Sequence, residues 1–187
     1  MVRMSVLLIS FSGREEAGNC VGVLEYISGR LDTEGVDNLL VRITDYEIQS
    51  CCDCNYECFS SGCPKDDDAV ELYEEMMEHD SVIFAVPVYS GEPCSKYFAF
   101  RERSQCVFDE ESFERYKDVA KNYIIVGNEE AGGGDAVDIV KMLEDDLDEI
   151  FLLQSHKYGQ NSLSGDLIEL EDVREDLDNF LLKINKV

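Results

Sequence analysis

The stretch that most constrains this chain runs from Val6 to Leu31. An apolar run, Val6 to Ile9, gives way abruptly to small and polar residues: Ser10, Ser12, Gly13, Arg14, Gly18 and Asn19. Apolar residues then recur at helical spacing, at Val21, Leu24, Ile27 and Leu31. This pattern reads as a buried strand, a tight loop and a helix N-terminus. Such a junction suits an anion. The first amides of a helix have no intrahelical acceptor, and the helix dipole is positive at that end. Ser12 and Asn19 add side-chain donors, and Arg14 adds a permanent charge. An ordinary strand-to-helix turn is the plainer alternative. The spacing matches neither the Walker loop nor GxGxxG.

The alternation continues along the chain. Asn38–Ile43, Ser81–Val88, Tyr123–Gly127 and Ile150–Leu153 read as further strands. Ser81–Val88 is apolar on both faces, as a central parallel strand should be, and Pro87 is expected to end it. Asp68 and Glu71 stand at capping-box spacing before a helix that buries Val70, Tyr73 and Met76 or Met77. A helix is expected to start near Cys94, and another to carry Val140, Leu143 and Leu147. A C-terminal amphipathic helix carries Val173, Leu177, Phe180 or Leu181, and Ile184. The acidic run Glu144–Glu149 reads as a solvated face. Strands alternating with helices predict an α/β doubly wound parallel sheet with helices on both faces, in one domain over residues 1–187. In such sheets ligands bind beyond the carboxyl ends of the strands, at the topological switch point. The small-residue loops after the first strand, after the third (Tyr89–Pro93) and after the fourth (Asn128–Gly134) all belong to that edge.

Charge narrows the partners. Forty-one acidic residues against 16 basic ones give a formal net charge of −25 among 187 residues. Nucleic acids and anionic membranes both need a basic footprint, so neither is an expected partner. An anionic ligand must be held by local donors against the global field, and a halophilic source is one setting for such acidity. No apolar run approaches the roughly 18–20 residues of a membrane span, and no signal peptide is read at the N-terminus. The eight cysteines then imply a reducing, cytoplasmic setting. His79 and His156 read as structural or exposed, and no acid–base constellation stands out.

Five of those cysteines crowd into the long connection Thr44–Asp67. Cys51, Cys54, Cys58 and Cys63 have the spacing Cys-x2-Cys-x3-Cys-x4-Cys, with Cys52 inside it. Long connections within compact domains are usually functional. Four thiolates from one short irregular segment suit a [4Fe–4S] cluster and equally a tetrahedral zinc, while free thiols are the third alternative. Asn55 and Gly62 are turn-formers that would let the segment wrap a centre.

Taken together, these residues resemble the flavodoxin-like superfamily, and within it the branch of NAD(P)H-dependent FMN reductases and iron–sulfur flavoproteins. That branch carries a loop of the type Gly-Ser-Pro-Arg-x-x-Gly-Asn-Ser/Thr after the first strand. It is matched here from Phe11-Ser12-Gly13-Arg14 to Gly18-Asn19-Cys20, with Phe11, Gly13 and Cys20 as departures. A Pro-Val-Tyr loop is matched at Pro87–Gly91, and a Gly-rich loop at Gly127-Asn128 and Gly132–Gly134. The resemblance implies a five-stranded sheet in the order 2-1-3-4-5 and FMN as cofactor. The FMN phosphate would lie at Ser12, Arg14, Gly18, Asn19 and Cys20. The ring would lie against Pro87, Val88, Tyr89, Ser90, Gly91, Asn128, Gly132 and Gly133. NAD(P)H would be the hydride donor, a small molecule or protein the electron acceptor, and the oligomer a homodimer or larger. Iron–sulfur flavoproteins carry a four-cysteine motif at about this place, with one residue fewer between the second and third cysteines. Three functions are thereby in play: an FMN reductase-type enzyme, a single-electron carrier with a cluster, and a flavodoxin-like module with structural zinc.

Overall fold

The computed structural model describes residues 4–14, 18–106, 110–127, 132–160 and 166–184. The elements follow in the order β1 (Ser5–Ser10), α1 (Asn19–Glu34), β2 (Asp37–Arg42), α2 (Ala69–Met77), β3 (Ser81–Tyr89), β4 (Glu92–Pro93), α3 (Ser95–Glu102), α4 (Glu110–Asp118), β5 (Ala120–Gly127), α5 (Gly133–Leu143), β6 (Leu147–Gln154) and α6 (Glu171–Ile184). The sheet order is β2-β1-β3-β5-β6, and every pair along it is parallel. With the two-residue β4 set aside, this is the expected 2-1-3-4-5 order. The addition is β4, which pairs antiparallel with the end of β3. The chain leaves β1 for β2 on one side and reaches β3 on the other, so the switch point lies between β1 and β3.

The two sheet faces bury separate apolar clusters. Val6, Leu8, Ile83, Ala85 and Ile124 pack against α1 and α6, through Leu24, Ile27, Leu31, Val173, Leu177 and Phe180. On the other face Leu7, Ile9, Val82, Phe84 and Ile125 pack against α2, α3 and α5, through Leu72, Tyr73, Met76, Tyr97, Phe100 and Val140. Successive strand residues point to opposite faces, which is why β1 and β3 read as continuous apolar runs.

Four local expectations are corrected. Pro87 does not end β3: the strand runs to Tyr89, and Pro87 pairs with Val126 of β5. On the other side β1 pairs only as far as Ala85, and there the Pro87 carbonyl accepts from the Cys94 amide at 3.1 Å. Asp68 is the residue before α2, but its side chain does not cap the helix. Its carboxylate instead accepts from the Glu47 amide at 2.6 Å, while Asp67 accepts from the Ala69 amide at 3.3 Å. Leu147 opens β6 rather than extending α5. Asp145, Asp146 and Asp148 are exposed as expected, but the Glu144 side chain turns inward. It accepts from the Tyr97 hydroxyl at 2.6 Å and from Arg101 Nε at 3.0 Å, closing the floor of an aromatic cavity of about 190 Å³.

Candidate functional site

The loop after β1 is built from short side-chain bonds. The Phe11 amide donates to the Ala85 carbonyl at 2.9 Å, which carries the chain beyond the sheet edge. The Phe11 ring is fully buried, edge-on to Tyr97 and tilted against Phe84 and Phe100, with centroids 5.6–5.8 Å apart. Beyond it, the Ser12 amide donates to Ser10 Oγ, and the Arg14 amide donates to Ser12 Oγ at 3.3 Å. Residues 15–17 lie outside the described residues. Gly18 then leads into α1 in an extended conformation, with no side chain capping the helix.

Two cations reach this loop, which also carries Glu15 and Glu16, outside the described residues. Helices α2, α5 and α6 each have acidic residues in their first turn, whereas α1 and α3 have none. A Cβ on Gly18 would lie 3.4 Å from Arg14 Cδ, so the Arg14 side chain folds back over the start of α1. A Cβ on Gly13 would lie 3.6 Å from Lys96 Cε, so a lysine from the first turn of α3 reaches over the same loop. Two acid-free helix starts and two cations thus meet at one loop. Lys96 was not among the residues predicted from the sequence. The available signal was its place in the first turn of a helix that follows a central strand.

Other predicted residues divide between ligand edge and scaffold. Asn19 Oδ1 accepts from the Leu167 amide at 3.3 Å, so its side-chain oxygen ties the loop to the segment before α6. Cys20 is buried in the α1 cluster. Burial pushes its thiol well up, nearby Cys94 raises it further, and Arg14 opposes both. Cys94, directly before α3, donates its thiol hydrogen to the Phe11 carbonyl at 3.3 Å.

Tyr89 to Gly91 form a two-residue hairpin. Tyr89 pairs with Glu92, and both turn residues have positive φ, Ser90 at 53° and Gly91 at 86°. This is the conformation of a type I′ turn, whose twist matches that of its strands. The turn leans on the start of α5. Gly132 has φ 77°, and a Cβ there would come within 2.5 Å of Gly91 Cα. A Cβ on Gly127 would likewise come within 3.0 Å of the Val88 side chain. Gly133 is buried at the first position of α5, and Tyr89 is exposed beside the turn. Asn128 lies outside the described residues. The described parts of the loops after β1, β3 and β5 therefore lie beyond the carboxyl ends of three adjacent strands, and Gly132 and Gly91 touch there. Backbone and small residues form the wall there, which is what a flat ligand needs for close approach.

The cysteine-rich segment lies beyond the carboxyl end of β2. Asn55 and Gly62, the turn-formers expected from the sequence, have positive φ on either side of Cys58, as does Tyr56. Cys51, Cys54 and Cys58 line a cavity of about 420 Å³ shared with Glu102 and Gln105. The end of α3 grips this segment twice. The Cys51 amide donates to Glu102 Oε2, and the Cys51 thiol to the Glu102 carbonyl, both at 3.2 Å. Arg103 Nη2 donates to Cys63 Sγ at 3.2 Å and to Asp67 Oδ1 at 2.9 Å. Burial raises the Cys51 thiol; Arg103 lowers it, and Glu102, Cys63 and Cys58 add to the rise. Among the described residues no three Cys, His, Asp or Glu side chains are gathered tightly enough to enclose a metal ion as they stand. The donor set itself, thiolates from one irregular segment with a buried cation beside them, suits a thiolate-ligated centre.

Comparison with known proteins settles the family. The profile of the NADPH-dependent FMN reductases matches residues 4–138, from β1 into α5. The chain belongs to that family. Two curated relatives are both named iron–sulfur flavoproteins. One, from Archaeoglobus fulgidus, is 29% identical over 84 residues, covering 45% of this chain and 41% of the relative. The other, from Methanocaldococcus jannaschii, is 32% identical over 103 residues, covering 54% of this chain and 52% of the relative. The matched part thus spans about half the length of these relatives. Among solved structures, an NAD(P)H:quinone oxidoreductase from Methanothermobacter marburgensis superposes with a TM-score of 0.60 at 16% identity, covering 94% of each chain. That likeness concerns the fold. The FMN reductase match contains all three loops at the sheet edge and the whole cysteine-rich segment.

Proposed function

We propose that this FMN reductase family member is a redox flavoprotein that takes a hydride from NAD(P)H and passes the electrons to an acceptor, a small molecule or a protein. The observation that carries the reading is the meeting of Arg14, Lys96 and two acid-free helix starts at one loop, in a chain of net charge −25. Bound FMN supplies the hydride and single-electron chemistry, and the protein supplies binding, orientation and electrostatics. In this reading Ser12, Arg14, Gly18, Asn19 and Cys20 form the phosphate end, with Lys96 added. The Asn19 and Cys20 side chains act as scaffold. Pro87–Gly91 and Asn128, Gly132 and Gly133 form the ring end, where Tyr89 offers an exposed aromatic face.

The cysteine-rich segment extends the reading. Cys51, Cys54, Cys58 and Cys63 would hold a [4Fe–4S] cluster, and the names of the two curated relatives favour this over zinc. Such a cluster supplies single-electron transfer. The same reading has the chain act as a homodimer or larger, in the cytoplasm, where thiols stay reduced.

An absorbance spectrum of anaerobically purified protein tests the first part. Flavin bands that bleach on adding NADPH or NADH support it; flavin-free protein that takes up no FMN defeats it. Iron and acid-labile sulfide test the second. About four of each per chain support the cluster. Stoichiometric zinc without sulfide would replace it and leave the flavin reading standing.

A further inference from the structure

Arg103 is the charged residue that the flavin chemistry leaves unused. It is fully buried, and so is the side chain of its ion-pair partner Asp67. Buried charges are retained only when paired and hydrogen-bonded, and removing one partner is costly. Here the guanidinium is used on three sides. Nη1 donates to the Gln49 carbonyl at 2.9 Å and to Asp67 Oδ2. Nη2 donates to Asp67 Oδ1 at 2.9 Å and to Cys63 Sγ at 3.2 Å. The Asp67 contacts alone would anchor the segment to α3. They do not require that the same nitrogen also face a sulfur.

A lysine could neutralise Asp67 just as well, but it lacks the planar fork that reaches a carboxylate and a thiolate at once. Arg103 lies immediately after Glu102, whose backbone and carboxylate hold Cys51. The first and last cysteines of the motif are therefore fixed by consecutive residues at the end of one helix. The Arg103 charge is paired with Asp67, so what it adds at the sulfur is a directed donor: an N–H···S bond to a ligand sulfur stabilises the more negatively charged, reduced form of a thiolate-bound cluster. Hydrogen bonds to sulfur, net charge and solvent exposure are the quantities that set such potentials.

We propose that Arg103 is a positioning and tuning residue for the cysteine-borne centre: its Nη2 fixes the Cys63 sulfur, and that N–H···S bond raises the reduction potential of a cluster bound there. This rests on the cluster reading given above.

The test compares wild type, Arg103→Lys and the double variant Asp67→Asn/Arg103→Gln, each purified anaerobically as the full chain with its flavin. The double variant removes both buried charges together, so neither is left unpaired. Iron, sulfide and FMN are counted, and the cluster midpoint potential is followed by electron paramagnetic resonance. The flavin transition, followed by absorbance, is the internal control. Both variants are expected to have a lower cluster potential than wild type, because both lose the Arg103 N–H···S bond, with FMN content and the flavin transition unchanged. Partial loss of iron in both variants, with FMN content unchanged, also supports a positioning role. Equal cluster potentials in all three proteins at full iron content would overturn the proposal and leave the cluster reading intact. Wild-type protein without iron and sulfide would overturn both.

Discussion

Gly132 stands against Gly91 with no room for a side chain between them. A Cβ at position 132 would fall 2.5 Å from Gly91 Cα and 3.2 Å from Asp135 Oδ2, and the backbone there has φ 77°. The contact joins the turn after β3 to the start of α5. Gly132→Ala meets both a left-handed backbone and a clash with main chain, which has no flexible end to move aside. We expect a loss of about 1–3 kcal/mol in stability, the usual cost of such strain, together with weaker FMN binding. Thermal unfolding and a flavin fluorescence titration check the two effects. A variant that unfolds and binds FMN like wild type would show that the contact is dispensable.

Arg14 and Lys96 approach the same loop from different helices. Arg14→Ala is expected to weaken FMN binding by about tenfold to a hundredfold, the range of a charge-assisted hydrogen bond. Lys96→Gln should weaken it less, and its effect should fade as salt is raised, because an exposed charge is screened. Riboflavin, which lacks the phosphate, is the control: its binding should be nearly the same in both variants. Equal losses for FMN and riboflavin would place the phosphate elsewhere.

Phe11 is both core and loop. Its ring is buried among Phe84, Tyr97 and Phe100, and its carbonyl accepts the Cys94 thiol. Phe11→Ala should cost about 3–5 kcal/mol, typical of a large aromatic removed from a core. Phe11→Leu should cost less and retain FMN binding. Chemical denaturation of the three proteins measures this directly.

The Asp67–Arg103 pair gives a pH dependence with a definite sign. Although burial opposes it, the Arg103 hydrogen bond and the amides of Gln49 and Ala69 hold the Asp67 carboxyl below the usual carboxylate range. A carboxyl whose pKa is lower in the folded state adds stability that is fully present above its unfolded value, about 3.9. That stability is lost as the pH falls through the folded value. Asp67→Asn should therefore be less stable than wild type by about 3–5 kcal/mol near neutral pH, the cost of breaking a buried pair. The gap should narrow only below about pH 4. Urea unfolding of both proteins across pH 3–7 reads it. A gap that was constant down to pH 3, or that widened on acidification, would contradict the assignment.

Much of this was legible in the chain itself. β1 and β3 announced themselves because both faces of a central parallel strand are buried, and α1 and α6 because their apolar residues keep a 3.6-residue period. Asn55 and Gly62 were legible as turn residues because few other residue types accept positive φ. Lys96 was not legible, since only the folded chain brings the start of α3 over Gly13. Arg103 was hidden for the same reason: its partners Gln49, Cys63 and Asp67 are all distant in sequence. Glu144 was misread because a run of acids carries no mark of the one member that turns inward to Tyr97 and Arg101. Pro87 was misread because where β1 stops pairing with β3, at Ala85, shows only in the folded chain.

The cysteine-rich segment hangs from β2, the strand at the rim of the sheet, which has β1 as its sole neighbour. Between Glu47 and Asp68 it is fastened by polar clasps: Asp68 to the Glu47 amide, Asp67 to the Gln49 amide, Arg103 to Gln49 and Cys63, and Glu102 to Cys51. The cluster of Phe11, Phe84 and Phe100 draws nothing from Cys51 to Cys63. The length of chain between these clasps can therefore change without disturbing the aromatic packing beneath the loop after β1. The segment is held by its own clasps and can change at a different pace from the core that carries it.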